Sequence, residues 1–302
     1  MDSEITAEQF FSPWESVASD WISSRDKIEE IIGISSSSQA LVWRGMPDAS
    51  NALFSSLYRR LLAKYGAPPT ETQMLSAENR ILEAARGSWR FDNLSALEIS
   101  AQVQHYGGPT RLLDVTYNPL IALWFAVEQK FDRGLPIPDI DGRLFAFALG
   151  EGRAEPQLDE KWGGYEIPWK PGEIKDWTTE LPLLWRPPEY NPRISAQNAA
   201  FLVGGVPSVR NGGNARYRKG PGDGTSKGAW RIGQVKQATS VTLFMNTSDR
   251  KPQNRSAPTF TIRIAAKAKA PIRKVLEHHF GYNSASIYPD LYGFARYGSF
   301  EF

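Results

Sequence analysis

The sequence predicts an α+β domain, a central and mostly antiparallel sheet with flanking helices. Three observations lead there. Short runs such as 142–149 and 259–264 are rich in β-branched, aromatic and aliphatic residues and read as strands. Longer segments such as 71–87 space their apolar residues at helical intervals. The 302 residues, 41% apolar, with ten Trp, eleven Tyr and fifteen Phe, can fill a large core, and no repeat or clear linker divides them.

In chain order, residues 14–32 carry Trp14, Val17, Trp21, Ile22, Ile28 and Ile31 at roughly helical spacing. They predict an amphipathic helix in an N-terminal unit, 1–37, packed on a main domain, 38–302. A Ser-rich turn leads into an apolar strand, Ala40 to Trp43, with Arg44 and Gly45 at its end. Residues 52–65 and 71–87 read as helices, the second stopping at Gly87. A further helix over 95–107 ends at Gly107 and Gly108.

Residues 110–115, TRLLDV, read as extended. Asn118 and Pro119 then carry a helix-start signal, an Asn cap before Pro in the first helical position. Leu120, Leu123, Trp124 and Val127 form that helix's apolar face. Residues 142–149, GRLFAFAL, predict a strand buried on both faces. Residues 150–190 read as loops, and 193–203 as a short segment that becomes apolar towards its end. Residues 240–245 and 259–264 read as strands, and 270–281 as a helix ending at Gly281. Between them, 206–236 is a basic, Gly-rich loop in which Arg210, Arg216, Arg218, Lys219, Lys227, Arg231 and Lys236 face Asp223 alone.

Composition narrows the chemistry. With no cysteine, disulfides, thiolate metal sites and Cys nucleophiles are excluded. Only His105, His278 and His279 are available to a histidine metal site, so none is expected, while a carboxylate site for magnesium or calcium stays open; no metal ligand is singled out. A net charge of +2 does not call for nucleic acid. The acidic N-terminus is unlike a signal peptide and no run of about 18 apolar residues occurs, so a cytoplasmic protein with no membrane partner is expected.

Two segments depart from ordinary core patterning. Arg44 follows an apolar strand, a position suited to a ligand site as well as to a structural ion pair, and Gly45 beside it suits a close backbone approach or a positive φ. In GGPTRLLDVTYNP, Arg111 and Asp114 read either as an internal brace or as a polar pocket for an anion. Thr116 and Tyr117 would add hydroxyls beside the start of a helix. The geometric expectation is that Arg44 and Arg111 converge on one cleft near Pro119. His105 is a candidate base or ligand contact, or a helix cap. His278 and His279 suit a helix end, and Asp290 a turn.

Four motifs, LVWRG, HYGGPTRLLDVTYNPLIALWFA, RISAQNAAFLV and LEHHFGYNSASIYPDLYG, resemble the successive motifs of the FRG domain family over about residues 38–298. The family triplet is matched by Trp43, Arg44 and Gly45. Its central pattern is matched by Thr110 to Asp114, Thr116, Pro119, Ala122, Phe125 and Ala126. A third element is matched at Ala196, Gln197 and Phe201, with Ala199 where Gly is usual, and the last at Tyr288 to Leu291 and Gly293.

The motif order is similar to that of ADP-ribosyltransferase-like folds. The resemblance implies NAD as substrate and an ADP-ribosyltransferase serving as a bacterial toxin or phage-defence effector. Under it Arg44, Asp114, Thr116 and Gln197 are the catalytic candidates, and Arg44, Gly45, Arg111, Tyr117 and His105 line the NAD site. Gln197 offers no charge, so either a carboxylate such as Asp114, Glu180 or Glu189 supplies it or the reaction depends on positioning alone. A protein or nucleic acid acceptor would meet the loop 206–236, with Tyr217 and Trp230 stacking on bases, and an antitoxin would be a further partner. The alternative is a non-catalytic module that binds a nucleotide or another anion.

Overall fold

A computed structural model of the chain describes residues 4–35, 39–149, 164–171, 174, 177–180, 182–209, 217–221, 228–249 and 258–298. In chain order the strands are β1 (Glu15–Ala18), β2 (Ala40–Met46), β3 (Leu113–Thr116), β4 (Phe131–Asp132), β5 (Leu135–Pro136), β6 (Gly142–Leu149), β7 (Leu183–Trp185), β8 (Ala199–Val203) and β9 (Thr259–Ile264). β4 and β5 form a separate hairpin. The other seven make one sheet in the order β1-β9-β6-β2-β3-β8-β7, antiparallel except for the β1–β9 pair. The expected α+β class and mostly antiparallel sheet are therefore present.

The helices are α1 (Ala7–Phe11), α2 (Trp21–Ile34), α3 (Ser56–Tyr65), α4 (Glu71–Gly87), α5 (Ala96–His105), α6 (Pro119–Val127), α7 (Pro192–Ala196), α8 (Ile232–Ala238), α9 (Ala266–Phe280), α10 (Ser284–Ile287) and α11 (Leu291–Tyr297). The helix start at Asn118 is as expected. The Asn118 side chain accepts from the Leu120 and Ile121 amides, and Pro119 occupies the first helical position.

β6 explains why both faces of the sheet are covered. Leu144, Ala146 and Ala148 enter a core layer with Ile28, Ile121, Leu123 and Ile272. Phe145, Phe147 and Leu149 enter the opposite layer with Phe10, Phe11, Val235 and Leu243. An apolar run read at a period of two thus fills two cores at once.

Two expectations are corrected. The helix expected over 14–32 is instead an edge strand, β1, followed by α2 beginning only at Trp21. Asp20 caps that helix, accepting from the Ser23 amide at 2.7 Å. The competing force is tertiary: β1 pairs with β9 over four residues, and Glu15 closes an ion-pair cluster with Arg143 and Arg263.

Residues 240–245 form no strand. Val241, Leu243 and Met245 do point into the core. The Thr239 hydroxyl, however, bonds both the amide and the carbonyl of Val241, and the backbone meets a strand only through the isolated Met245–Thr259 bridge.

Candidate functional site

The site lies where the sheet splits. β2 pairs with β6 along its whole length but meets β3 at one register position, Trp43 opposite Thr116. Below that point β2 and β3 diverge, and the Asp114 carbonyl faces no strand on the β2 side. Arg44 supplies the missing donor, its Nη1 lying 2.6 Å from the Asp114 carbonyl oxygen and 3.7 Å from the carboxylate. Arg44 is thus inside β2 rather than at its end, and it still reaches the pocket.

The gap widens into a cavity of about 290 Å³. Its polar wall is made by Arg44, Gln104, His105, Asp114, Arg193 and Gln197. Trp43, Phe125, Tyr190, Phe201 and Tyr288 supply an aromatic part of the lining, and Gly45 and Thr116 also line it.

Each polar group is held. Gln104 Nε2 donates to both Asp114 oxygens, at 3.1 and 2.9 Å, and the carboxylate side chain remains 59% exposed. Thr116 Oγ1 donates to the Gln197 carbonyl at 2.6 Å and accepts from the Asn118 amide. Gln197 Nε2 donates to the Ile287 carbonyl at 3.0 Å. Thr116 and Gln197, singled out as catalytic candidates, thus line the cavity with their donors engaged on backbone carbonyls, joining β3, β8 and α10 around it.

Arg193 Nη2 donates to Asp290 Oδ1 at 2.7 Å, with its guanidinium over the rings of Tyr288 and Tyr292. Asp290 also caps α11 by accepting from the Gly293 amide. It is more than the turn residue expected. Burial alone would raise the Asp290 carboxyl, but Arg193 and the Gly293 amide outweigh it and hold it below the usual carboxylate range.

His105 Nε2 lies 2.9 Å from Asn191 Nδ2 and 3.6 Å from Asp290. Burial, then the nearby Arg193, hold its pKa below the ordinary 6.5, against the pull of Asp290 and Asp114. A lowered folded value means that the unfolded chain binds the proton more readily. The stabilisation is complete above the ordinary value and is lost as pH falls through the lowered one. Wild type is therefore expected to lose more Tm between neutral and mildly acidic pH than His105→Gln does, measured by thermal unfolding across that range. Equal pH profiles would remove His105 from the acid response.

Arg111 does not join the pocket, which corrects the expected convergence of Arg44 and Arg111. It is 2% exposed. Its Nε and Nη2 donate to the two oxygens of Glu78 at 2.7 and 2.6 Å, and Nη1 lies 2.8 Å from Glu71. Burial alone would lower its pKa, but Glu78 and Glu71 outweigh that and raise it. Arg111 and Asp114 are not paired with each other either: Arg111, just before β3, turns to Glu78 and Glu71, while Asp114, within it, meets Gln104 and Arg44. The second pocket cation is Arg193, which sequence reasoning missed.

Tyr117 also lies outside the pocket lining. It packs on the core beside the sheet, with Arg186 over its ring at 5.8 Å. Of the other candidate carboxylates, neither Glu180 nor Glu189 lines the cavity. The loop reading changes where it is described. Tyr217 is buried, Trp230 packs near Phe10 at 6.3 Å, and 232–238 is α8, so these two rings do not form an exposed stacking platform. Arg210, Arg216 and Lys227 lie outside the described residues. Among the described residues, no helix is long and apolar enough to cross a membrane.

Residues 39–134 match the family model of the FRG domain, from the start of β2 through α6 to the β4–β5 turn. The motifs at Gln197 and at Tyr288–Gly293 fall outside that span, yet they wall the same cavity. No curated protein and no solved structure matches the chain.

Proposed function

Because the chain carries an FRG domain over residues 39–134, whose arginine opens into a pocket beside an exposed carboxylate, we propose that it is an NAD-consuming enzyme of ADP-ribosyltransferase type. The biological setting proposed is a bacterial toxin or phage-defence effector. One observation carries the reading: Arg44, His105, Asp114, Thr116 and Gln197, distant in the chain, wall a single cavity.

In this reading the nicotinamide ring lies among the aromatic side chains, and Arg44 meets a phosphate or ribose oxygen. The cavity is at the small end of ordinary ligand pockets, roughly 300–1,000 Å³. It would hold the nicotinamide–ribose half, with the rest of the dinucleotide in the mouth. The bond between ribose C1′ and the nicotinamide nitrogen breaks, and its electron pair leaves with nicotinamide. Positive charge develops on the ribose and is stabilised by the Asp114 carboxylate until an acceptor nucleophile attacks C1′ and gives up its proton to solvent. The acceptor, protein or nucleic acid, and a neutralising antitoxin complete the proposed set of partners.

A second reading, a module that binds a nucleotide or anion without turnover, is favoured by a separate fact. The Thr116 hydroxyl and the Gln197 amide already donate to backbone carbonyls. Nicotinamide release from NAD separates the two. Under the enzyme reading, wild type releases nicotinamide, Asp114→Asn slows release about 100-fold, and Arg44→Ala abolishes it. Binding of NAD without release supports the module. Absence of both, together with no growth inhibition on expression, overturns the NAD site.

A further inference from the structure

Arg193 does more in this cavity than brace a turn. Its guanidinium is fixed by Asp290 on one side and by the Tyr288 and Tyr292 rings, 5.1 and 5.3 Å away, on the other. Among the described residues, that carboxylate is the one hydrogen-bond acceptor it uses, and its buried Nε has none. Arg44 is in the same condition. It donates through Nη1 to Asp114, and its buried Nε has no acceptor. Both side chains are largely buried, 13% and 19% exposed, and both line the one cavity.

Two guanidiniums lining one partly desolvated pocket leave strong donors unused, a costly arrangement for an empty structural site. Asp114 and Asp290 offset the charge, but Asp114 is turned largely to solvent. A phosphate group, with several acceptor oxygens and negative charge, answers both deficits, and guanidinium forks match it geometrically.

We propose that Arg44 and Arg193 form a two-guanidinium clamp for the phosphate of a nucleotide ligand, making Arg193 a ligand-binding residue. The proposal rests on the reading of this cavity as a nucleotide site. It adds that the pocket selects phosphorylated over unphosphorylated forms of the same nucleoside.

Titration calorimetry with nicotinamide riboside and nicotinamide mononucleotide, which differ by one phosphate, tests it. Wild type is expected to bind the mononucleotide at least about tenfold tighter, the worth of one charge-assisted contact. Arg193→Gln should shrink that ratio towards one and leave riboside affinity in place, while Arg193→Lys should keep part of it. Asp290→Asn, which breaks the brace but keeps the guanidinium, should retain the preference. A purely structural Arg193 predicts instead that both Gln and Asn variants weaken the two ligands alike.

If neither nicotinamide compound binds, the same comparison with AMP and adenosine separates the two claims. A phosphate preference there that depends on Arg193 keeps the clamp while the nicotinamide reading falls. A preference undiminished by Arg193→Gln, or no phosphate preference with any pair, overturns the clamp.

Discussion

Gly45→Ala is expected to unfold the domain or cost it about 4 kcal/mol or more, the range reserved for severe local defects. Gly45 sits inside β2 under α6. A Cβ built there would lie 1.8 Å from the Ala122 carbonyl oxygen, 2.5 Å from the Ala126 nitrogen and 2.9 Å from the Phe125 Cβ. Ordinary overpacking, where side chains can shift, costs roughly 1–3 kcal/mol. Here the obstacle is helix backbone, so either the helix lifts from the sheet or the strand bows. Gly142, on the neighbouring β6, meets the same helix, its added Cβ falling 2.3 Å from the Ala126 carbonyl.

Both glycines exist for close approach, since neither has a positive φ. Urea unfolding gives the measurement, with Gly33→Ala as control because an added Cβ meets nothing within 4 Å there. The control should be neutral or slightly stabilising, by less than about 1 kcal/mol. An unfolding midpoint for Gly45→Ala equal to wild type would contradict the strand–helix contact. Loss of ligand binding without loss of stability would put Gly45 in the ligand's path instead.

What the sequence made legible is local or periodic. Helix α4 runs over 71–87 as its spacing predicts, the Asn118–Pro119 start is intact, and residues 142–149 fill both core layers. Of the two readings open for Gly45, a close approach or a positive φ, the close approach holds. The pocket was half legible: Arg44, His105, Asp114, Thr116 and Gln197 were singled out and do share a wall.

The missed features depend on partners remote in sequence. Arg193 finds Asp290, 97 positions away, and neither has a local signal beyond a helix start and a Pro-Asp turn. Glu15 meets Arg143 and Arg263, which turns an apparent helix into an edge strand. A Thr hydroxyl at 239 can replace a ladder bond, so an alternating run need not become a strand. Spacing along a chain carries periodicity but not the identity of a distant counter-charge. The same limit explains why Arg111 and Arg44, both arginines beside short apolar runs, looked alike and ended in opposite roles.

Arg111→Ala should destabilise the fold by about 3–5 kcal/mol, the usual loss when one partner of a buried ion pair is removed. The residue sits at the meeting point of α4, the approach to β3, and Trp169 and Trp177. Beyond its contacts to Glu78 and Glu71, Nη1 donates to the Gly204 carbonyl at 3.4 Å, and the rings of Trp169 and Trp177 lie 5.7 and 5.6 Å from the guanidinium. Trp169 and Trp177 also donate their indole N–H groups to Glu78 and Glu71. Deleting the cation leaves Glu78, 8% exposed, facing apolar rings and one indole donor. The cost is dominated by that stranded carboxylate rather than by the lost attraction.

Adding Glu78→Gln to Arg111→Met should therefore recover part of the stability lost by Arg111→Met alone. A double-mutant cycle in urea would report a coupling well above the roughly 0.5 kcal/mol expected of independent sites. Nucleotide affinity, measured below the unfolding transition, should stay near wild type in the folded fraction. The opposite pattern, near-normal stability with binding abolished, would return Arg111 to the ligand and break the division between a cation that holds the frame and cations that face the cavity.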